Sequence, residues 1–368
     1  MPDGCVWYSF GSDKTGPALA EALGFQASRK TPPFGDYKVV VGWGCKPGKN
    51  YSGETLSGLI REGKTRILNH PEMVDRNRNK LATLRYLESA GVAVPGFLEF
   101  EPHRPKVCSK TLIPDKLEGG QLSFPLILLN EFNKGEPTFC YTIEDVEAAL
   151  QGNTRKKHPY NYVRSYDPGD EYRIHVFRDT VLFAQKKNLD EDPIAAITAS
   201  LEKKYVKKME KAGESITQQS CSLVRNVCRM LASEILASTH QLKKSVKMGW
   251  KLIDWELDLV PPAVMGIAVE ALDAIHLDMG AVSVSNVDGT PRVLSATTAP
   301  ALTPEQMAQY VVEVESFTNT EGKARAKKPE LTPRRERRAS PELVAKLYRK
   351  LKGLSAEKVE EVLGSMEE

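Results

Sequence analysis

Cysteine is sparse and scattered in this 368-residue sequence: Cys5, Cys45, Cys108, Cys140, Cys221 and Cys228 form no CxxC pair and no ligand spacing with histidine. Disulfide scaffolding is therefore not indicated, and buried free thiols in a reducing compartment are expected. The six histidines, His70, His103, His158, His175, His240 and His276, show neither HxH nor HExxH spacing, which argues against a catalytic zinc. No stretch approaches the roughly 18 apolar residues of a membrane span, and MPDGCVWYSF has no basic region leading into a long apolar run. Neither membrane insertion nor secretion is expected, and a cytoplasmic location is. An excess of one charge is lacking too: 51 Lys+Arg against 48 Asp+Glu leave a formal net charge of +3, too small for a global pull toward nucleic acid or membrane.

What is present is an ordinary soluble globular composition, 41% hydrophobic and 27% charged, in a chain long enough for two or three domains. Residues 4–10 read as a strand, Gly16 to Leu23 as an amphipathic helix and YKVVVGW (37–43) as a second strand, a start of βαβ type. GSDKTG at 11–16 is followed by Pro17 and Ala18 instead of Lys and Ser/Thr, so a helix cap is expected there and not a phosphate loop. NKLATLRYLESA (79–90) predicts a helix with Leu81, Leu84 and Leu87 on one stripe, closed by Gly91. In EYRIHVF, period-two alternation sets Tyr172, Ile174 and Val176 on one face and Glu171, Arg173, His175 and Phe177 on the other.

Residues 277–302, LDMGAVSVSNVDGTPRVLSATTAPAL, carry the most information. Ala281 to Ser285 and Arg292 to Thr298 are β-prone runs joined by a turn with Asp288-Gly289, so the segment predicts a hairpin. Alternation puts Ser295 and Thr297 on one face, and Ser283 on the opposed strand is expected to join them in a patch of three hydroxyls.

This hairpin is similar to the last one of the ATP-grasp superfamily, most of all that of the phage-encoded and ribosomal-protein-modifying carboxylate-amine ligases. The resemblance runs over residues 75–302 and implies an α/β (α+β), two-lobed ATP-grasp-like fold. By that resemblance the family's metal-binding Asp falls on Ser283, its bridging Glu on Ser295 and its Asn on Thr297. Mg²⁺ requires hard oxygens, preferably anionic, and three neutral hydroxyls do not supply them. Lys80 matches the family's phosphate-contacting lysine at the head of its helix. The second phosphate lysine is replaced by Leu129, and Gly135 alone survives of the glycine-rich flap, stiffened by Pro137. Arg173, with Lys186 or Lys187, could still meet a phosphate or carboxylate from the strand pair.

The resemblance and its departures imply an organisation and an activity. Residues 1–74 are expected to form an N-terminal α/β domain and 75–316 an ATP-grasp-like domain with a helical insertion at about 189–246. Residues 317–340 read as a basic linker, with eight Lys/Arg against three Glu over 317–340, and 341–368 as a C-terminal helical segment. The expected function is that of a catalytically inactive binding or structural component, with an extension to a bacteriophage virion or its assembly. Neither cofactor nor metal is expected; the alternative is an active ligase using ATP and Mg²⁺, its metal ligands taken over by Asp254, Glu256, Asp278 or Asp288, and a third reading keeps a nucleotide in the cleft without hydrolysis through Lys80 and Arg173. A protein partner at the C-terminal helices is expected, with self-association open and nucleic-acid contact by the basic linker the lesser option.

Overall fold

The structure, a computed structural model, describes residues 3–9, 14–132, 134, 137–212, 224–225, 227–233 and 250–319. Its α/β architecture is built on three sheets. The first holds β1 (Gly4–Tyr8), β2 (Gln26–Ser28), β3 (Val39–Trp43) and β4 (Arg66–Leu68) in the order β2-β1-β3-β4, all parallel. Parallel strands need covered faces, and β3 is buried along its whole length. Trp7 and Val40 join one core while Val6, Val39, Val41 and Trp43 join another on the opposite side. The helix after β1 spans Thr15–Ala22, and its cap position is Lys14, whose side chain makes no capping bond.

The second sheet has β5 (Phe97–Glu99), β6 (Leu126–Leu129), β7 (Thr138–Cys140) and β8 (Tyr162–Ser165), ordered β5-β8-β6-β7 and antiparallel. Leu126, Leu128, Cys140 and Val163 point into a core shared with Val146 and Leu150 of the helix Ile143–Leu150. Alternation therefore turns Ile127, Leu129, Phe139, Tyr162 and Arg164 the other way.

The third sheet is the largest: β9 (Asp170–Phe177), β10 (Thr180–Leu189), β11 (Trp250–Trp255), β12 (Met279–Val287) and β13 (Thr290–Thr297), ordered β11-β10-β9-β12-β13 and antiparallel. Tyr172, Ile174, Val176, Val282, Val284 and Val293 pack on Val264, Ile267, Ala268 and Ala271 of the helix Pro262–Ala274. The other face divides. Its far end is covered by the helix Pro304–Asn319, whose Met307, Tyr310, Val311 and Val314 lie in one core with Phe177 and Phe183 and with the first sheet. Its near end stays open toward the second sheet.

The expected hairpin is β12–β13, and both residues of its turn have positive φ, Asp288 at 48° and Gly289 at 82°. That pair of left-handed residues matches the twist of the flanking strands. The helix at 79–90 is present as Lys80–Ser89, capped by Asn79, whose side chain accepts from the Ala82 amide at 2.9 Å. Two boundaries differ from the sequence reading. The helix Pro304–Asn319 had no sequence counterpart, and it carries regular structure past residue 317, where the linker was expected to begin. In the expected insertion, β10 runs to Leu189 and a helix spans Pro193–Ala212; Cys221, Gly135, the rest of the basic segment and the C-terminal helices lie outside the described residues. The described cysteines, Cys5, Cys45, Cys108, Cys140 and Cys228, are buried free thiols as expected.

Candidate functional site

A cavity of about 280 Å³ opens between the second and third sheets. That is at the lower end of the range for small-ligand sites. One wall is apolar and aromatic: Ile127 and Leu129 from β6, Phe139 from β7, Tyr162 from β8, with Pro137 and Tyr166 beside them. Phe139 and Tyr166 meet edge to face, their centroids 5.3 Å apart. The opposite wall comes from the third sheet, with Glu171 and Arg173 on β9, Lys187 on β10, Ser283 on β12 and Leu294 and Ser295 on β13. Lys80 and Arg164 complete the lining.

The pairing register explains why these side chains meet. Ser283 lies opposite Ser295 on one side and opposite Arg173 on the other, so all three share a face. Between Ser283 and Val284 the register slips by one, leaving Leu294 as an extra residue on β13. Such a bulge re-aims side chains, and both Leu294 and Ser295 border the cavity as a result. Thr297 is one step further along the face, opposite Ala281, and is not part of the lining. The expected patch of three hydroxyls is thus a pair at the cleft.

Lys80 and Arg173 are brought together at the cavity, and Lys186 is not. Lys186 pairs with Tyr172 across β10–β9, which puts it on the opposite face, with its ammonium 2.8 Å from Asp170 and 5.0 Å from the Trp255 ring centroid. Lys187 takes the cleft position and binds Glu171 at 2.9 Å. Sequence alternation fixed the β9 faces but left the phase of β10 open, because the irregularity between Val181 and Phe183 shifts it.

Lys80 donates to the carbonyls of Asn77 at 2.9 Å and Ala296 at 2.7 Å. Burial, helped by the Arg78 charge, pulls its ammonium down to about 8. Burial also lowers Arg173 from its usual value, with the Glu171 charge opposing the shift. Arg164 Nη1 reaches the Leu294 carbonyl at 3.4 Å, spanning the gap between β8 and β13. Burial pushes Tyr162 up to about 12 and raises Tyr166 further, so both phenols stay neutral. Asp167 is held by Arg292 at 3.0 Å, which ties the outer half of the final hairpin to the segment after β8.

His175 shares the Arg173 face but has no access to the cleft. It is fully buried, stacked on Phe183 at 4.1 Å, and its Nδ1 lies 3.1 Å from the Tyr310 hydroxyl. Burial drives its pKa down to about 3, so the ring is a neutral packing element. Arg164, Tyr166 and Asp167 escaped the sequence reading. The Tyr-Val-Arg-Ser alternation held the signal for Arg164, but only the partner sheet reveals which parity faces a ligand.

Two sheets of this order closing on a cleft, with a parallel sheet in front, define the class: the chain has the ATP-grasp fold. The ATP-grasp ligase PsnB, complexed with a phosphomimetic variant of its minimal precursor, Mg and ADP, is similar over 87% of this chain and 100% of its own, at TM-score 0.52 and 13% identity. D-alanine–D-alanine ligase from Bacillus anthracis complexed with ATP is similar over 87% of this chain and 98% of its own, also at TM-score 0.52 and 13% identity. No family model matches the sequence, and no curated protein does. At such identities the likeness speaks to the fold alone. No helix among the described residues is long and apolar enough to cross a membrane.

Proposed function

We propose that this protein acts by binding through its ATP-grasp cleft and does not perform metal-assisted phosphoryl transfer. The observation that carries this reading is the chemistry of the cleft floor: Ser283 and Ser295 oppose one another where the resemblance sets the metal-binding Asp and the bridging Glu. Neutral hydroxyls are weak ligands for Mg²⁺, which is held in phosphate sites by one or two carboxylates. Of the acids that border the cavity among the described residues, Asp167 is paired through Oδ1 with Arg292 and Glu171 with Lys187 of the same cleft. None of the acids considered as replacements borders it either. Asp254 accepts from Gln185 at 3.2 Å and Gln306 at 2.6 Å, Asp278 accepts from the Asn69 amide at 2.8 Å, Glu256 precedes a short 3₁₀ turn without a side-chain capping bond, and Asp288 sits in the hairpin turn.

The remaining residues have the chemistry a nucleotide would call on. Ile127, Leu129, Phe139 and Leu294 offer a slot for a flat apolar group, and Lys80, Arg164, Arg173 and Lys187 offer cations for phosphates. The expected ligand is therefore a nucleotide retained without turnover. The further extension to a virion or its assembly rests on the resemblance to phage-encoded ligases, with residues 341–368 as the partner-docking element. The test of the central reading is ADP release from ATP with Mg²⁺ and a panel of carboxylates and amines. No release above a protein-free blank is expected; turnover that disappears in Lys80→Ala would refute the reading.

A further inference from the structure

Among the described residues the cleft carries more positive than negative charge, and most of that positive charge has no ion-pair partner. Lys80, Arg164, Arg173 and Lys187 line it against Asp167 and Glu171. Both acids are in ion pairs, and only one of those pairs uses a cleft cation, Lys187 with Glu171 at 2.9 Å. Lys80 is solvated by two neutral carbonyls. Arg164 makes one long bond to the Leu294 carbonyl, and its buried Nε has no partner among the described residues. Arg173 has no hydrogen-bond or ion-pair partner among the described residues, and Glu171, whose charge acts on it, is already committed to Lys187. Among the described residues, three cations are thus partly desolvated without a carboxylate of their own, an arrangement that an anion in the cavity would relieve.

The same geometry is hostile to a divalent cation. Ser283 is in direct register with Arg173, so an ion held at Ser283 and Ser295 would sit beside an unneutralised guanidinium. In a site that bridges phosphate and protein through Mg²⁺, carboxylates supply the protein half of the bridge. Here the protein half is cationic and can contact phosphate oxygens itself, the guanidinium groups by a planar fork and the ammonium as a point charge.

We propose that this cleft binds its phosphorylated ligand by direct contact with Lys80, Arg164 and Arg173, without a bridging divalent cation, so that Mg²⁺ competes with the protein for the phosphates. The inference rests on the binding role proposed above and gives it a sign that ordinary metal-assisted sites do not share: magnesium is an antagonist.

The experiment is calorimetric titration of the full chain with ADP and with ATP at constant ionic strength, once with EDTA and once with excess Mg²⁺. Binding in EDTA that weakens about tenfold in Mg²⁺ is expected, because chelation removes charge the three cations would otherwise meet. Binding that needs Mg²⁺ or tightens with it overturns the inference, and so does the absence of binding in both conditions. Arg164→Gln and Arg173→Gln should each lose about tenfold in EDTA with an unfolding transition no lower than that of the wild type. Full affinity in both variants overturns the assignment of these side chains. Arg173→Lys keeps the charge and should keep the antagonism, which guards against a Gln variant that fails to fold. ADP release judges the binding-only role separately: Mg²⁺-tightened binding without release sinks this inference alone, whereas release sinks the role itself.

Discussion

Lys80 illustrates how one residue can couple stability and binding in opposite directions. Its side chain heads a helix, reaches the Asn77 and Ala296 carbonyls and borders the cavity. With a folded-state pKa near 8, below the ordinary lysine value of 10.5, the unfolded chain binds more protons between those values. Stability contributed by this group therefore rises as pH increases from about 8 toward 10.5, while the positive charge it offers a ligand is lost over the same start of the range. Thermal unfolding and nucleotide titration at pH 7 and pH 9 should show these opposite slopes, and Lys80→Met should remove the difference attributable to this group. Slopes identical in wild type and Lys80→Met would contradict the assignment. Lys80 was legible only through the resemblance of the phrase around it, which singles out one lysine. The choice between Lys186 and Lys187 was not legible, since the strand irregularity that fixes their phase is a property of the assembled β9–β10 pair.

At the scale of the element, the β12–β13 hairpin does two jobs, one conformational and one steric. Asp288-Gly289 supplies the left-handed turn, and a Cβ added at Gly289 would meet nothing within 4 Å, so its cost is backbone strain alone. Gly280 lies inside β12, where a Cβ would come within 2.6 Å of the Thr297 carbonyl oxygen. Gly289→Ala should thus cost about 1 kcal/mol, whereas Gly280→Ala should cost about 2–3 kcal/mol because the sheet itself must shift. Denaturant midpoints would rank them, and the reverse order would mean that the hairpin's close approach is softer than its geometry implies. The hairpin and its turn could be read from the sequence, as could the opposition of Ser283 and Ser295. Leu294 could not, because a bulge adds one residue to a strand without changing the residue pattern that predicts the strand. That slip is also why Leu294 joins Ser295 at the cleft, whereas Thr297 lies one step further along the same face.

For the molecule as a whole, the sequence carried the two-lobed core and much less of what closes it. The β9 alternation and the Leu81-Leu84-Leu87 stripe reappear as buried faces. The helix Pro304–Asn319 did not announce itself, although its Tyr310 hydroxyl bonds the Gly280 carbonyl at 3.1 Å and its last carbonyls accept from Arg66 at 2.9 and 2.7 Å. Its partners come from the first and third sheets, far away in sequence, so its apolar face has meaning only after both are folded. This helix covers the His175 end of the sheet and leaves the Arg173 end open on a cleft walled by cations, aromatics and two serines. The central claim is that this cleft offers phosphate-binding cations and no seat for a divalent metal. It is tested most directly by titrating Mn²⁺, as a paramagnetic stand-in for Mg²⁺, into the full chain and following the free-ion electron paramagnetic resonance signal. The account predicts a free-Mn²⁺ signal that the protein leaves unchanged at stoichiometric concentration; a one-to-one loss of that signal, abolished by Ser283→Ala with Ser295→Ala, would contradict it.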